Sequence, residues 1–112
     1  MSVLSVVKVW NDPAAAATLL EEASATLEHE ARTQAGFIAA EILVSQDSTK
    51  VVILTEWVDG HSWSQSRHDA RVGKMLEDCL TASVKIEFEV YDRHARFFPT
   101  RKEPINDYDR GA

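Results

Sequence analysis

The chain has 112 residues, 45% hydrophobic and 27% charged, and its 12 Lys and Arg against 18 Asp and Glu leave a net charge of −6. That length holds one domain and not two, and the negative balance argues against nucleic acid or a membrane surface as partner, since both are anionic. No apolar run approaches the ~20 residues that span a bilayer, no basic-then-apolar leader follows Met1, and a single cysteine, Cys79, excludes an internal disulfide or a cysteine-based zinc site, so a reduced, cytoplasmic protein is expected.

Val3–Asn11 reads as a strand rich in β-branched residues, with Val3, Ser5, Val7 and Val9 on one face and Leu4, Val6 and Trp10 on the other. Asp12 then stands as an N-cap with Pro13 at the first helical position. Ala16, Leu20, Ala23, Leu27 and Ala31 recur at steps of three and four, a narrow core-facing stripe, and Gly36 is the expected stop. Glu21, Glu22, Glu28 and Glu30 fall on the solvated face.

Phe37–Ser45 is a second strand, and the polar turn Gln46-Asp47-Ser48-Thr49 joins it to a third, Lys50–Trp57, as an antiparallel hairpin. Asp59-Gly60 opens a short helical segment carrying Trp63, and Asp69 caps another that runs to about Cys79. The last strand is Ser83–Tyr91, where Val84, Ile86, Phe88 and Val90 alternate against Lys85, Glu87, Glu89 and Tyr91. The order β-α-β-β-α-β predicts an α+β, ferredoxin-like fold with a four-stranded antiparallel sheet. Residues 1–92 carry seven basic and 15 acidic side chains, whereas residues 93–112 carry five and three, with Pro99 and Pro104 among them. The division is thus a 1–92 domain and a basic 93–112 extension, whose Phe97 and Phe98 can dock on an apolar surface.

Two helices cover only one face of such a sheet. Val6 and Val7, then Val51, Val52, Ile53 and Leu54, are apolar on both faces. A monomer would expose a patch larger than globular chains tolerate, so a homodimer packed sheet to sheet about a two-fold axis is expected.

Two stretches carry a resemblance to a known family. In TQAGFIAAEILVSQDS a Gly-aromatic pair leads into an E-I-L strand; in KVVILTEWVDGHSW a strand ends in Glu56-Trp57 and an aromatic follows six residues later. Over roughly residues 3–92 the chain resembles the antibiotic biosynthesis monooxygenase superfamily of dimeric α/β barrels. The resemblance implies a ligand pocket between helices and sheet in each subunit and a reaction with O2 that needs no cofactor: no flavin, haem or metal. A deprotonated, electron-rich phenol can itself give an electron to O2, if the protein supplies a dry cavity and stabilises the phenolate.

The resemblance and the residues together nominate a site. Trp57 stands where family oxygenases carry a site tryptophan, and its indole N–H can donate to a substrate oxygen; the alternative is a core aromatic closing the helix–sheet layer. Trp63 is a pocket wall or plain packing. His68, within SRHDAR, is the candidate general base, since imidazole is the side-chain type suited to proton abstraction near neutrality, with His61 as substitute, although both positions also suit an exposed turn. Arg71 offers a fixed positive charge to a phenolate or a surface ion pair. Asn11 offers a ligand contact or a local turn role. Ile53, four residues before Trp57, occupies the place where polyketide-type relatives carry an orienting Asn, and Leu76 falls where the haem-degrading branch carries a histidine. His29 and His94 lie outside this set, and the four histidines lack metal-ligand spacing. No phosphate loop, G-x-S-x-G elbow or dinucleotide fingerprint is present.

The expected function is oxidation of a small aromatic or polyketide-like substrate by O2, with His68, Trp57 and Arg71 catalytic and Trp63, Ile53, Asn11 and His61 binding substrate. A non-catalytic dimeric binding barrel and a haem-binding or haem-degrading oxygenase are the alternatives.

Overall fold

The computed structural model describes residues 2–100, so the extension beyond Thr100, Pro104 included, lies outside the described residues. One antiparallel sheet contains β1 (Val3–Asn11), β2 (Phe37–Val44), β3 (Lys50–Trp57) and β4 (Ser83–Asp92) in the order β2-β3-β1-β4. Helices α1 (Ala16–His29), α2 (Gly60–Ser66) and α3 (Ala70–Ala82) cover one face. This is the α+β, ferredoxin-like split βαβ fold that the element order predicts.

The central pair β1 and β3 runs in register from Val3↔Trp57 to Trp10↔Lys50. Because side chains alternate along a strand, the odd positions of both strands face the helices. Val7, Val9, Val51 and Ile53 there meet Leu19, Ala23 and Leu27 of α1 and Val72, Met75 and Cys79 of α3. Cys79 is a buried thiol pushed up to about 11, first by burial and then by the Glu22 and Asp78 charges. Leu19 takes the buried position assigned above to Leu20, which is half-buried on the flank of the same apolar arc.

Pro13–Ala15 forms a 3-10 turn that Asp12 caps, its carboxylate accepting from the Ala14 N–H at 3.0 Å, whereas α1 itself begins at Ala16 without a side-chain cap. The helix stops at His29, seven residues before Gly36, and a second 3-10 turn spans Ala31–Thr33. Gly36 serves a different purpose from a helix stop. With φ at +84°, a conformation glycine adopts without a Cβ penalty, it starts β2 and passes against α2, where an added Cβ would collide with the Ser62 side chain. Its carbonyl accepts from the Val58 N–H at 2.8 Å.

The hairpin turn is organised by Asp47, whose Oδ1 accepts from Ser45 Oγ, Thr49 Oγ1 and the Thr49 N–H at 2.8, 2.7 and 3.1 Å. Those bonds, Thr49 first and then Ser45, hold its carboxyl down to about 2. Ser48 takes the left-handed conformation, φ 62°, that the two-strand reversal demands.

The face of the sheet away from the helices differs from the expectation. It is apolar along a diagonal through Leu43, Val52, Leu54, Val6 and Leu4, and charged elsewhere. Lys8 pairs with Glu89 at 2.9 Å and Lys85 with Glu87 at 3.3 Å. Trp10 lies between the ammonium groups of Lys50 and Lys85, 4.6 and 4.7 Å from its ring centre. The greasy surface is therefore a band rather than a whole face. Among the described residues, no helix is long and apolar enough to cross a membrane.

Candidate functional site

Where β1 starts and β3 ends, the helices roof a chamber. Its floor is Ser5 and Val7 of β1 with Ile53, Thr55 and Trp57 of β3; Leu27 and Ala31 close one side, and Trp63 of α2 with Val72, Met75 and Leu76 of α3 form the roof. No wall residue carries a titratable side chain. The void measures about 20 Å³, enough for one water and far below the ~300–1,000 Å³ of a typical ligand pocket.

The aromatic end is built by local sequence. Asp59 Oδ1 accepts from the Ser62 N–H at 2.8 Å and caps α2, and the backbone and side-chain bonds with Ser62 hold its carboxyl below the usual range. One turn later Trp63 faces inward. Its ring lies 6.0 Å from that of Trp57 at 43°, and Phe37 meets Trp57 edge-on at 5.4 Å. The Arg67 guanidinium lies 5.7 Å from the Trp63 ring centre. Trp57 is almost wholly buried, and its Nε1–H donates to Thr55 Oγ1 at 2.8 Å.

Asp69 sets the start of α3. Its Oδ1 accepts from the backbone N–H groups of Arg71 and Val72 at 2.9 and 3.1 Å, and its Oδ2 accepts from Gln34 Nε2 at 3.2 Å. This cap decides where its neighbours point. His68 precedes the cap on the surface, and Arg71 leaves the first turn to pair with Glu30 at 3.4 Å.

Of the residues nominated from the sequence, Trp57, Trp63 and Ile53 converge on the chamber, and Leu76 lines it with them. His68, His61 and Arg71 are exposed and do not. Asn11 lies at the opposite end of the sheet, where its side-chain N–H groups donate to the Asp12 and Ser48 carbonyls at 2.9 and 3.1 Å; it holds the β1 exit to the hairpin turn. Sequence reasoning passed over Ser5 and Thr55, the chamber's two hydroxyls. The available signal was a small hydroxyl residue interrupting an otherwise apolar core-facing row in each central strand.

Sequence reasoning also passed over Glu56 and Arg93, on the opposite face. They form a two-pronged ion pair, Arg93 NH2 to Oε1 at 3.1 Å and Nε to Oε2 at 3.4 Å. Burial pushes the Glu56 carboxyl up, but hydrogen bonds from Ser2 and Arg93 and the Arg93 and Arg96 charges outweigh it and leave the group below the usual carboxylate range. With Leu4, Ala39 and Leu54 these residues line a shallow bowl of about 250 Å³. A further open groove of about 420 Å³ runs between α1 and the free edge of β2.

A four-stranded ferredoxin-like sheet with an aromatic-ended, uncharged chamber beneath its helices defines a class of small α+β proteins. Within that class, this chain belongs to the antibiotic biosynthesis monooxygenase family, which it matches over residues 2–77. Its fold is similar to that of a monooxygenase from the gene ActVA-Orf6 of Streptomyces coelicolor, solved in complex with nanaomycin D (TM-score 0.77, 21% identity, 88% of this chain and 93% of that one). It is also similar to Rv0793 from Mycobacterium tuberculosis (0.76, 12%, 86% and 98%). A third similar structure is a variant of SnoaB, a cofactor-independent oxygenase from Streptomyces nogalater (0.66, 16%, 85% and 95%). No curated protein matches the chain significantly in sequence.

Proposed function

We propose that this chain is a cofactor-independent monooxygenase that holds a small aromatic or polyketide-like molecule against Trp57 and Trp63 while it reacts with O2. The observation that carries the reading is the chamber, a water-poor space between helices and sheet with two tryptophans at its end, in a chain of the monooxygenase family. In such a site an ionised phenol passes an electron to O2 without protein redox groups. One oxygen atom remains on the ring as a carbonyl, and the other leaves as water with the hydroxyl and ring hydrogens, so no reductant is consumed. A void of about 20 Å³ holds no aromatic ring, so substrate entry requires its roof to move outward. We assign that movement to α2, seven residues long and joined to α3 by the turn at Arg67–Asp69. No proton is routed through His68, His61 or Arg71.

The test is O2 uptake with a panel of naphthols and anthrones. Uptake is expected to survive a chelator and to fall at least tenfold in Trp57→Phe and Trp63→Ala. Absence of both uptake and binding across the panel would overturn the reading. Binding without uptake would establish the second reading, a non-catalytic small-molecule barrel, which the lack of any acid or base in the chamber wall favours. Leu76 stands in that wall where haem degradation would need an imidazole, which counts against a haem-degrading role.

A homodimer through the open sheet face belongs to the same proposal. The band Leu4, Leu43, Val52 and Leu54 is the surface a second copy would cover, with the Lys8–Glu89 and Lys85–Glu87 ion pairs at its rim. Light scattering is expected to give twice the chain mass, and Leu54→Lys to return it to one. A monomer at micromolar concentration would remove this part of the proposal.

A further inference from the structure

Ser5 and Thr55 sit where the core rows of β1 and β3 are otherwise apolar. They are direct cross-strand partners, only 2% and 7% exposed, and both line the chamber. Burying a hydroxyl in an apolar wall is unfavourable unless it is hydrogen-bonded, and a valine at either position would extend the rows they interrupt. The Trp57 indole restricts what Thr55 can do. An indole N–H only donates, so the 2.8 Å bond from Trp57 Nε1 fixes Thr55 Oγ1 as its acceptor. That leaves the Thr55 O–H proton for donation, and accepting the indole bond polarises it further.

We propose that Thr55, seconded by Ser5, is the polar anchor of the chamber. It selects ligands that present an oxygen acceptor, a ring carbonyl or a phenolate, to the β1–β3 wall while the ring lies against Trp57 and Trp63. Trp57 is then a positioning residue as well as a wall, because its N–H turns the threonine hydroxyl into a donor. The assignment rests on the chamber being the ligand site, and it explains how a site without a titratable group would stabilise an oxyanion: by preset neutral donors in a dry space.

The experiment compares two molecules of nearly equal shape, 1-tetralone, which carries a carbonyl acceptor, and tetralin, which does not. Titration calorimetry is expected to show the wild-type protein binding 1-tetralone about tenfold more tightly, the value of one net hydrogen bond. Thr55→Val should bring the ratio near one, Thr55→Ser should keep it, and Ser5→Ala should fall between. Thr55→Val also strands the indole N–H, so a second measurement uses the wild-type chain: the Trp57 Nε1–H NMR cross-peak should move downfield with 1-tetralone and not with tetralin. A preference that persists in folded Thr55→Val, or a cross-peak that responds equally to both molecules, overturns the assignment. Equal wild-type affinities overturn it alone, whereas no binding of either molecule overturns the chamber as the ligand site and this assignment with it.

Discussion

Successive residues of β1 and β3 alternate between two environments. At odd positions, beneath the helices, the side chains are Val, Ile, Ser, Thr and Trp, with Asn11 at the β1 exit, and none of them is an acid or a base. At even positions, on the open face, Lys8, Lys50 and Glu56 alternate with Leu4, Val6, Val52 and Leu54, and the charges are paired or stacked. Two-residue periodicity thus separates a dry compartment from an ionic one across a single sheet. Within the β1–β3 pair, acid acts through the open face, whereas solvent exclusion and aromatic contact belong to the covered one. A pH dependence of turnover in the proposed reaction would therefore report ionisation of the substrate rather than of a chamber residue.

The largest effect that would sharpen this contrast is expected at Trp57, 1% exposed and packed between Phe37 and Trp63. Trp57→Ala should cost about 3–5 kcal/mol in urea unfolding, the range for emptying a large aromatic site. Leu54→Ala, on the half-buried open face, should cost visibly less. Equal losses would mean that the two faces are equally packed and the contrast false.

Next in size comes the ion pair on the open face. Arg93→Ala leaves the buried Glu56 carboxylate without its two-pronged partner and should cost about 1 kcal/mol at pH 7. Because the Glu56 pKa is lowered on folding, its contribution is fully present above the unfolded value of ~4.3 and is lost as pH falls through the folded one. The difference between variant and wild type should therefore shrink when unfolding is followed from pH 7 into the acid range. A constant difference would detach the effect from the carboxylate.

The fold was legible because its signals are local. Alternation marked the strands, Asp59 and Asp69 marked the starts of α2 and α3, Asp12 marked the 3-10 turn that leads into α1, and a four-residue polar turn forced the hairpin. Gly36 misled because the same freedom of φ that ends a helix also permits a close approach to another element, and its partner Ser62 is 26 positions away. The site was legible only in its aromatic half. Trp57 and Trp63 stand out by residue type, but the pairing of Ser5 with Thr55 depends on strand register, and that of Glu56 with Arg93 on the path of the chain after β4. Neither leaves a spacing in the sequence.

His68 and Arg71 provide the smallest expected effect and a useful control. Both are attractive from residue type alone, an imidazole and a guanidinium flanking a helix start within two residues of the Asp69 cap. The Asp69 cap turns both away: it uses the first-turn amides to fix the register of α3, which leaves His68 before the cap and sends Arg71 toward Glu30. The Arg71–Glu30 pair is 3.4 Å long with the arginine side chain 70% exposed, a geometry worth little in water. His68→Ala and Arg71→Ala should each change stability by less than about 0.5 kcal/mol and leave naphthol binding and any O2 uptake unaltered. A tenfold loss of uptake in either folded variant would move the chemistry out of the covered compartment and onto the α2–α3 turn, erasing the separation between the two faces.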